Sequence, residues 1–404
     1  MKIPFSPPYI DDDVVNEVVS SLKSGWITTG PRVKELESFI AKSSEVPTAL
    51  GVNSATSGLM LALHWFGISR GDEVIIPAYT YAATALSVLH IGAIPVMVDS
   101  GDNFNMDPAA VKAKITSKTK AIIPVDIGGW PCDYASIKEL VESPDVKSLF
   151  QAKGEVQEQL GRMLILADAA HSIGASYQNR PAASWSDLAV YSLHAVKNVT
   201  SAEGGMILIN MPSGFDNDEV YRTLRLWSLN GQTKDAFTKT QGSSWRYDIV
   251  YPGFKMNMPD VLAAIALAQM RKYKDQLMPE RKRVYERYKI GFENWDLAQY
   301  PLAQTADSES SYHLYALRIK GITEEQRDKI IDAVMAEGVS VNVHFQPLPL
   351  LSVFKEKGYD IADYPSAFDS YSREISLPIY PQLSDEQADF IVETIITKTQ
   401  AVLK

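Results

Sequence analysis

At 404 residues, 46% of them hydrophobic and 22% charged, the chain is too long for one typical domain and has a soluble globular composition, so two domains are expected. A net charge of -10 without any Lys/Arg block argues against nucleic acid as a main partner, and the single cysteine, Cys132, excludes an intrachain disulfide and a Cys-rich metal site. The opening residues reach Asp11-Asp12-Asp13 without an apolar signal region, and no run approaches the roughly 20 apolar residues that span a bilayer; a cytoplasmic location without membrane insertion is expected.

From residue 50 to 210 short apolar runs alternate with helical patterns. Asn53-Ser54-Ala55-Thr56-Ser57-Gly58 lies between a short strand and the helical run 59–66. Small residues at a helix start expose backbone N–H groups to an anion, with Ser54 and Thr56 as hydroxyl donors; plain N-capping of a core helix explains the segment equally. It is neither a Walker loop nor a dinucleotide fingerprint, because the glycine spacing is wrong for both. Val74-Ile75-Ile76 is followed by Pro77-Ala78-Tyr79-Thr80-Tyr81, where Tyr81 either stacks on a flat heterocycle or serves as an edge residue. Strands Ile94 to Val98, Ala121 to Val125 and Met163 to Leu166, with helical patterns at 108–115 and 133–140 between them, predict a mostly parallel sheet covered by helices. Residues 147–161 are polar and read as a longer helix or a loop.

Two positions in this stretch point to chemistry. The strand Leu164-Ile165-Leu166-Ala167 ends at Asp168, with Ala169-Ala170-His171 next; Lys197 follows the run Ala189-Val190-Tyr191-Ser192, ahead of Glu203-Gly204-Gly205. Ligands collect at the carboxyl ends of strands in such sheets. A carboxylate on one strand end and an amine beyond another suit a pyridine-ring cofactor held as a Schiff base, with the acid keeping the ring nitrogen protonated. Ser192, five residues before the lysine, is placed to meet a phosphate.

Near residue 250 the pattern changes. Met258-Pro259-Asp260 opens an Ala/Leu-rich run continuing through Tyr288, long enough to link two domains or build a subunit interface. This gives a large domain over 1–250, then a linking helix and a smaller α+β domain over 251–404. In the latter, 314–319 and the alternating 339–345 read as strands; Thr323-Glu324-Glu325-Gln326 and Ser384-Asp385-Glu386-Gln387 open helices with capping boxes. His313 and His344 either reach a domain cleft or are hydrogen-bonded core residues. The six histidines show no metal-ligand spacing, so no metal is expected.

At these motifs the chain resembles the DegT/DnrJ/StrS family of sugar aminotransferases. The resemblance runs from Gly25-Trp26-Ile27-Thr28-Thr29-Gly30-Pro31 through His194-Ala195-x-Lys197-Asn198-x-Thr200-x-Ala202-Glu203-Gly204-Gly205, and members making UDP-4-amino-4-deoxy-L-arabinose are especially similar there. It implies an α/β chain with the aspartate aminotransferase-like fold (fold type I), pyridoxal 5'-phosphate as cofactor, L-glutamate as amino donor and a nucleotide-linked keto-sugar as acceptor, either a UDP- or dTDP-4-keto-6-deoxy sugar or a UDP-4-ketopentose. It implies that Lys197 bonds to the cofactor aldehyde, that Asp168 pairs with the ring nitrogen and that His171 lies beside the ring. Tyr81 takes the stacking position, filled by tryptophan in some relatives; Ala55, Thr56 and Ser192 hold the phosphate. Asn257 matches an asparagine reaching the neighbouring subunit's cofactor phosphate, which implies a homodimer with shared active sites. Thr28 and Thr29 fall in the sugar loop, while Arg222, Arg225 and Lys255 are candidates for the substrate diphosphate. Two departures stand out: Asn230-Gly231 replaces the His-Gly of many relatives, and 147–161 is longer than in the arabinose enzymes. Lys197 also separates the chain from members that dehydrate the sugar at C3, which carry histidine there. Outside this reading stand a fold type I enzyme acting on amino acids and a non-catalytic sensor retaining the fold.

Overall fold

A computed structural model describes residues 2–233 and 246–404. Its centre is a seven-stranded sheet in the order β1-β9-β8-β5-β4-β2-β3, formed by β1 (Thr48–Val52), β2 (Glu73–Pro77), β3 (Ile94–Val98), β4 (Thr119–Ile122), β5 (Leu164–Asp168), β8 (Leu188–Ser192) and β9 (Gly205–Ile209). Only β9 runs against its neighbours, so the sheet is mostly parallel. Two two-residue strands, β6 (Ser176–Tyr177) and β7 (Arg180–Pro181), form a small hairpin beside it.

Every residue of β5, β8 and β9 is buried, because the sheet is covered on both faces. The period-two alternation of strands sorts the side chains. Ile165, Ala167, Ala189 and Tyr191 enter one core with Leu36, Ile40 and Leu267. Leu164, Leu166, Leu188 and Val190 enter the other with Leu59, Leu61 and Leu63 of the helix Ala55–Trp65. By the same parity, Asp168 and Ser192 end their strands on the face of that helix. Gly58 lets the helix lie close, since a Cβ there would stand 2.8 Å from Val190 Cγ1.

The long helical run extends over Asp260–Lys272 and Met278–Phe292, beyond the expected end at Tyr288, and is interrupted by a π turn at Tyr273–Leu277. Pro279 lacks the N–H of a regular turn and its ring crowds the carbonyl four residues back, which accounts for the widened turn. The first half of the run packs into the core with Leu36 and Ile40, and the third core packs its second half, Met278–Phe292, against a three-stranded sheet, β10 (Ala298–Gln299), β11 (Tyr315–Ile319) and β12 (Glu374–Leu377), and against the helices Glu324–Ala336 and Asp385–Leu403. Both expected capping boxes are present.

Two expectations need correction. Residues 339–345 form no strand; Val339 and Asn342 make isolated bridges to Ile3 and Ser376, and the partners of β11 are β10 and β12. The alternation there reflects burial of Val339 and Val341 against the third core without a full ladder. Residues 147–161 hold the end of the helix Pro144–Leu149, a connecting loop and the whole of the short helix Glu155–Leu160, so the alternative of one longer helix is corrected. No helix among the described residues is long and apolar enough to cross a membrane.

Candidate active site

The carboxyl ends of β5 and β8, the start of the helix Ala55–Trp65 and one edge of the smaller sheet's surroundings enclose a cavity of ≈ 470 Å³. Asp168 and Lys197 both line it. Asp168 is buried; its Oδ2 accepts from Thr84 Oγ1 at 2.7 Å and its Oδ1 from the Ala170 N–H at 3.3 Å. Thr84 is held in turn by Thr80, 3.0 Å between the hydroxyl oxygens. Burial raises the Asp168 pKa, opposed by Thr84, Ala170 and the Lys197 charge. Burial also lowers the Lys197 amine to about 8, against the pull of Asp168. Acid and amine thus sense each other across the cavity without a hydrogen bond between them.

The near wall forms an anion cradle. Ser54 caps the helix, its Oγ accepting from Ser57 N at 3.1 Å, so the capping interpretation holds. The N–H groups of Ala55 and Thr56 in that first turn have no intrahelical acceptor and line the cavity, so the same turn also offers an anion site. Gly205 lies between Val52 and Ser192 in the sheet register, and a Cβ on it would stand 2.6 Å from Ala55 N. Ser192 Oγ lines the same wall. An aldehyde-bearing heterocycle with a phosphate arm fits this donor set: first-turn N–H groups and a hydroxyl for the phosphate, and a buried carboxylate and an amine lining the same cavity.

Histidines close the far side. His171 Nδ1 accepts from the Gly128 N–H at 3.2 Å, which leaves its proton on Nε2. Its ring lies 4.3 Å from His313 and stacks on Phe345 at 5.7 Å and 23°. His313 Nδ1 lies 2.8 Å from Asn198 Oδ1, whose amide donates to Ser311 O at 2.8 Å and to Tyr273 of the π turn at 3.1 Å. His344 Nδ1 lies 2.9 Å from Ser376 Oγ. Burial holds His171 and His313 well below the usual histidine range and His344 at about 4, with Lys197 adding to each, so all three imidazoles are neutral. Tyr81 stands at the mouth, 64% exposed, its ring 5.8 Å from Phe345.

Ten of the sixteen residues singled out in the sequence line this one cavity: Ser54, Ala55, Thr56, Tyr81, Asp168, His171, Ser192, Lys197, His313 and His344. Thr28, Thr29, Arg222, Arg225, Lys255 and Asn257 do not. Asn257 donates to Thr29 Oγ1 at 2.6 Å, Thr29 donates to Met258 O at 2.6 Å, and the Asp260 N–H bonds Thr28 O at 3.1 Å. This knot runs beside the end of β1, where Asn257 bridges Val52. Arg222 is exposed and 3.5 Å from Asp216, Lys255 is exposed, and Arg225 senses Glu37 and Tyr221. Thr84, Phe5, Phe345 and Ser376 escaped the sequence reading: each looks like an ordinary core or terminal residue until the chain folds.

A model of the DegT/DnrJ/EryC1/StrS aminotransferase family matches residues 8–396. The chain is 33% identical over 401 residues to the spore coat polysaccharide biosynthesis protein SpsC of Bacillus subtilis (strain 168), covering 97% of this chain and 96% of that protein. Among solved structures it is similar to Spr1654 from Streptococcus pneumoniae, assigned as a sugar aminotransferase; the PLP form is 41% identical, with a TM-score of 0.95 over 100% of both chains. It is also similar to Helicobacter pylori PseC, an aminotransferase involved in the biosynthesis of pseudoaminic acid, at 25% identity and a TM-score of 0.87, covering 99% of this chain and 100% of that one.

Proposed function

Because the chain belongs to the DegT/DnrJ/EryC1/StrS aminotransferase family, we propose that it moves the amino group of L-glutamate to the keto carbon, C4, of a nucleotide-linked sugar. The coarser statement stands on the comparisons: the protein is a sugar aminotransferase of fold type I that uses pyridoxal 5'-phosphate. The observation supporting the finer reading is the placement of Lys197 and Asp168 in one cavity that they share with the neutral imidazoles of His171, His313 and His344 and the hydroxyl residues Ser6, Ser54, Thr56, Thr80 and Ser192, polar groups set among apolar ones and suited to an oxygen-rich substrate.

When bound, the cofactor supplies an aldehyde for covalent capture of amines and a protonated ring that takes up electrons from the adjacent carbon. The protein's part follows from its own groups. Ala55 and Thr56 N–H and Ser192 hold the phosphate end. Asp168, fixed by Thr84 and Ala170, would face the ring nitrogen and hold its proton there, a positive partner that would offset the burial of the carboxylate. The Lys197 amine, lowered to about 8 by burial, would bond to the aldehyde and, when free, would serve as a neutral base able to move a proton at the substrate carbon. Glutamate would leave as 2-oxoglutarate with an oxygen taken from water, and the retained amino group would replace the sugar's keto oxygen, lost as water, with Lys197 returning the proton.

The reading includes a homodimer. Exposed apolar residues support it: Ile27 at 54%, next to Thr28, and Ile249 at 51% and Val250 at 56%, ahead of Asn257 in the chain. A second copy would give Asn257, Thr28, Thr29 and the cations Arg222, Arg225 and Lys255 a role at the neighbouring site. The test is a panel of UDP-, GDP- and dTDP-linked 4-keto-sugars offered with glutamate, products identified by mass and NMR. An amino sugar formed with an equivalent of 2-oxoglutarate is expected; turnover of amino acids alone, with no keto-sugar accepted, overturns the reading.

A further inference from the structure

Behind His344 lies a buried hydrogen-bonded chain. In β12, Ile375 and Leu377 enter the third core, so Glu374 and Ser376 face the opposite way, towards the large sheet. Both are fully buried. Ser376 Oγ lies 2.5 Å from Glu374 Oε1 and 2.9 Å from His344 Nδ1, and Glu374 Oε2 accepts the backbone N–H of His344 at 3.0 Å. Reciprocal bonds between Asn342 and Ser376, 2.7 and 3.2 Å, tie the loop to the strand. Phe5 stacks on the imidazole at 5.3 Å and 22°. The ring is therefore clamped, and Nε2 is its nitrogen with no protein partner among the described residues, on a side chain that lines the cavity with Lys197.

We propose that Glu374 and Ser376 are positioning residues for His344, and that the protonation state of Glu374 decides whether His344 offers the keto-sugar an N–H or a lone pair from Nε2. With Glu374 ionised, the Ser376 hydroxyl donates to Oε1, its oxygen accepts Nδ1–H, and Nε2 is bare. One proton taken up at Nε2 and passed along the chain reverses each bond: Nδ1–H goes to Ser376, the serine proton goes to Glu374, and the ring stays neutral with its proton on Nε2. A carbonyl oxygen only accepts hydrogen bonds, so the state with protonated Glu374 is the one that engages a keto-sugar. The role rests on the sugar-amination reading; the relay itself does not.

The surroundings favour that state. Arg318, the register partner of Glu374 on β11, and Arg327 from the helix Glu324–Ala336 both pull towards the carboxylate, and Tyr79 approaches from the end of β2. Burial outweighs them and lifts Glu374 to about 8. Lys197, His171 and His313 face the imidazole across the cavity and disfavour a second positive charge.

Holoenzyme labelled with ¹⁵N at its six histidines tests this by NMR, His344 being assigned from its loss in His344→Asn. The expected result is a ring proton that moves from Nε2 to Nδ1 as pH rises through about 8. Glu374→Gln should fix it on Nε2 at every pH, because the amide oxygen replaces Oε2 on the backbone N–H and the amide nitrogen donates to Ser376. Ser376→Ala should abolish the transition and slow the keto-sugar half-reaction roughly tenfold, with the glutamate half-reaction little changed. A His344 signal without tautomer change in the wild-type protein overturns the relay. A tautomer change in a protein that aminates no keto-sugar leaves the relay standing and sinks the sugar reading instead.

Discussion

Lys197 depends on burial for its chemistry. An ordinary surface lysine is almost wholly charged at neutral pH and cannot attack an aldehyde; lowered to about 8, a useful fraction is neutral. Capture of pyridoxal phosphate by the apoprotein should therefore accelerate as pH rises through about 8 and level off above it, measured by stopped-flow absorbance. A rate still climbing well above that point would contradict the shift. Removing the amine in Lys197→Ala should eliminate both half-reactions while the phosphate cradle still retains some cofactor after dialysis. Asp168→Asn leaves Thr84 and Ala170 in place but gives up the charge that holds the ring proton, so kcat should fall roughly a hundredfold or more in steady-state assay. Near-normal turnover in Asp168→Asn would show the carboxylate to be a mere cap.

At the scale of elements, the site exists because three strand ends and one helix start converge. Gly205 is the tightest joint in that convergence, since any side chain meets the backbone of Ser54 and Ala55. Gly205→Ala should displace the helix start and weaken cofactor binding roughly tenfold, read by fluorescence titration, at a stability cost of about 1–3 kcal/mol. Unchanged affinity would mean that the first helical turn holds no phosphate. These strands were legible in sequence because a buried parallel strand is a short apolar run, and Asp168 and Lys197 because polar residues at such ends are conspicuous. Thr84 and Ser376 were not, since an interior threonine of an Ala-rich helix and a serine in an apolar strand carry no local sign of their partners. Residues 339–345 misled for a related reason. Alternation records which side of a chain is buried, whereas a strand also needs a neighbour to pair with, and there Ile3 and Ser376 each supply a single bridge. The π turn was equally invisible, although Pro279 marked its place.

Across the whole molecule, several carboxyls are buried without a full counter-charge, and they set the response to pH. Glu37, bonded to Gly51 N–H and Tyr221 OH, is raised by burial from 4.5 to about 7. The folded state then holds a proton that the unfolded chain has released, so this group's contribution to stability is full below about 4.5 and is lost progressively as pH rises to about 7. Glu37→Gln should accordingly gain thermal stability relative to the parent between those limits, measured as the difference in Tm against pH. A constant difference would place the Glu37 pKa near its ordinary value. A site shared through Asn257 needs a second copy, so sedimentation should report a dimer, and Ile249→Asp with Val250→Asp, which puts charge on two exposed apolar side chains, should shift it to monomer and lose activity. A monomeric parent with full activity would remove Asn257 and its neighbours from the site. All of this presupposes that the cavity between the amine and the acid holds the cofactor aldehyde. Borohydride reduction of the holoenzyme followed by proteolysis and peptide mapping reads that bond directly: a single phosphopyridoxyl group on the peptide bearing Lys197 is the expected result, and a label on any other lysine, or none, contradicts the account.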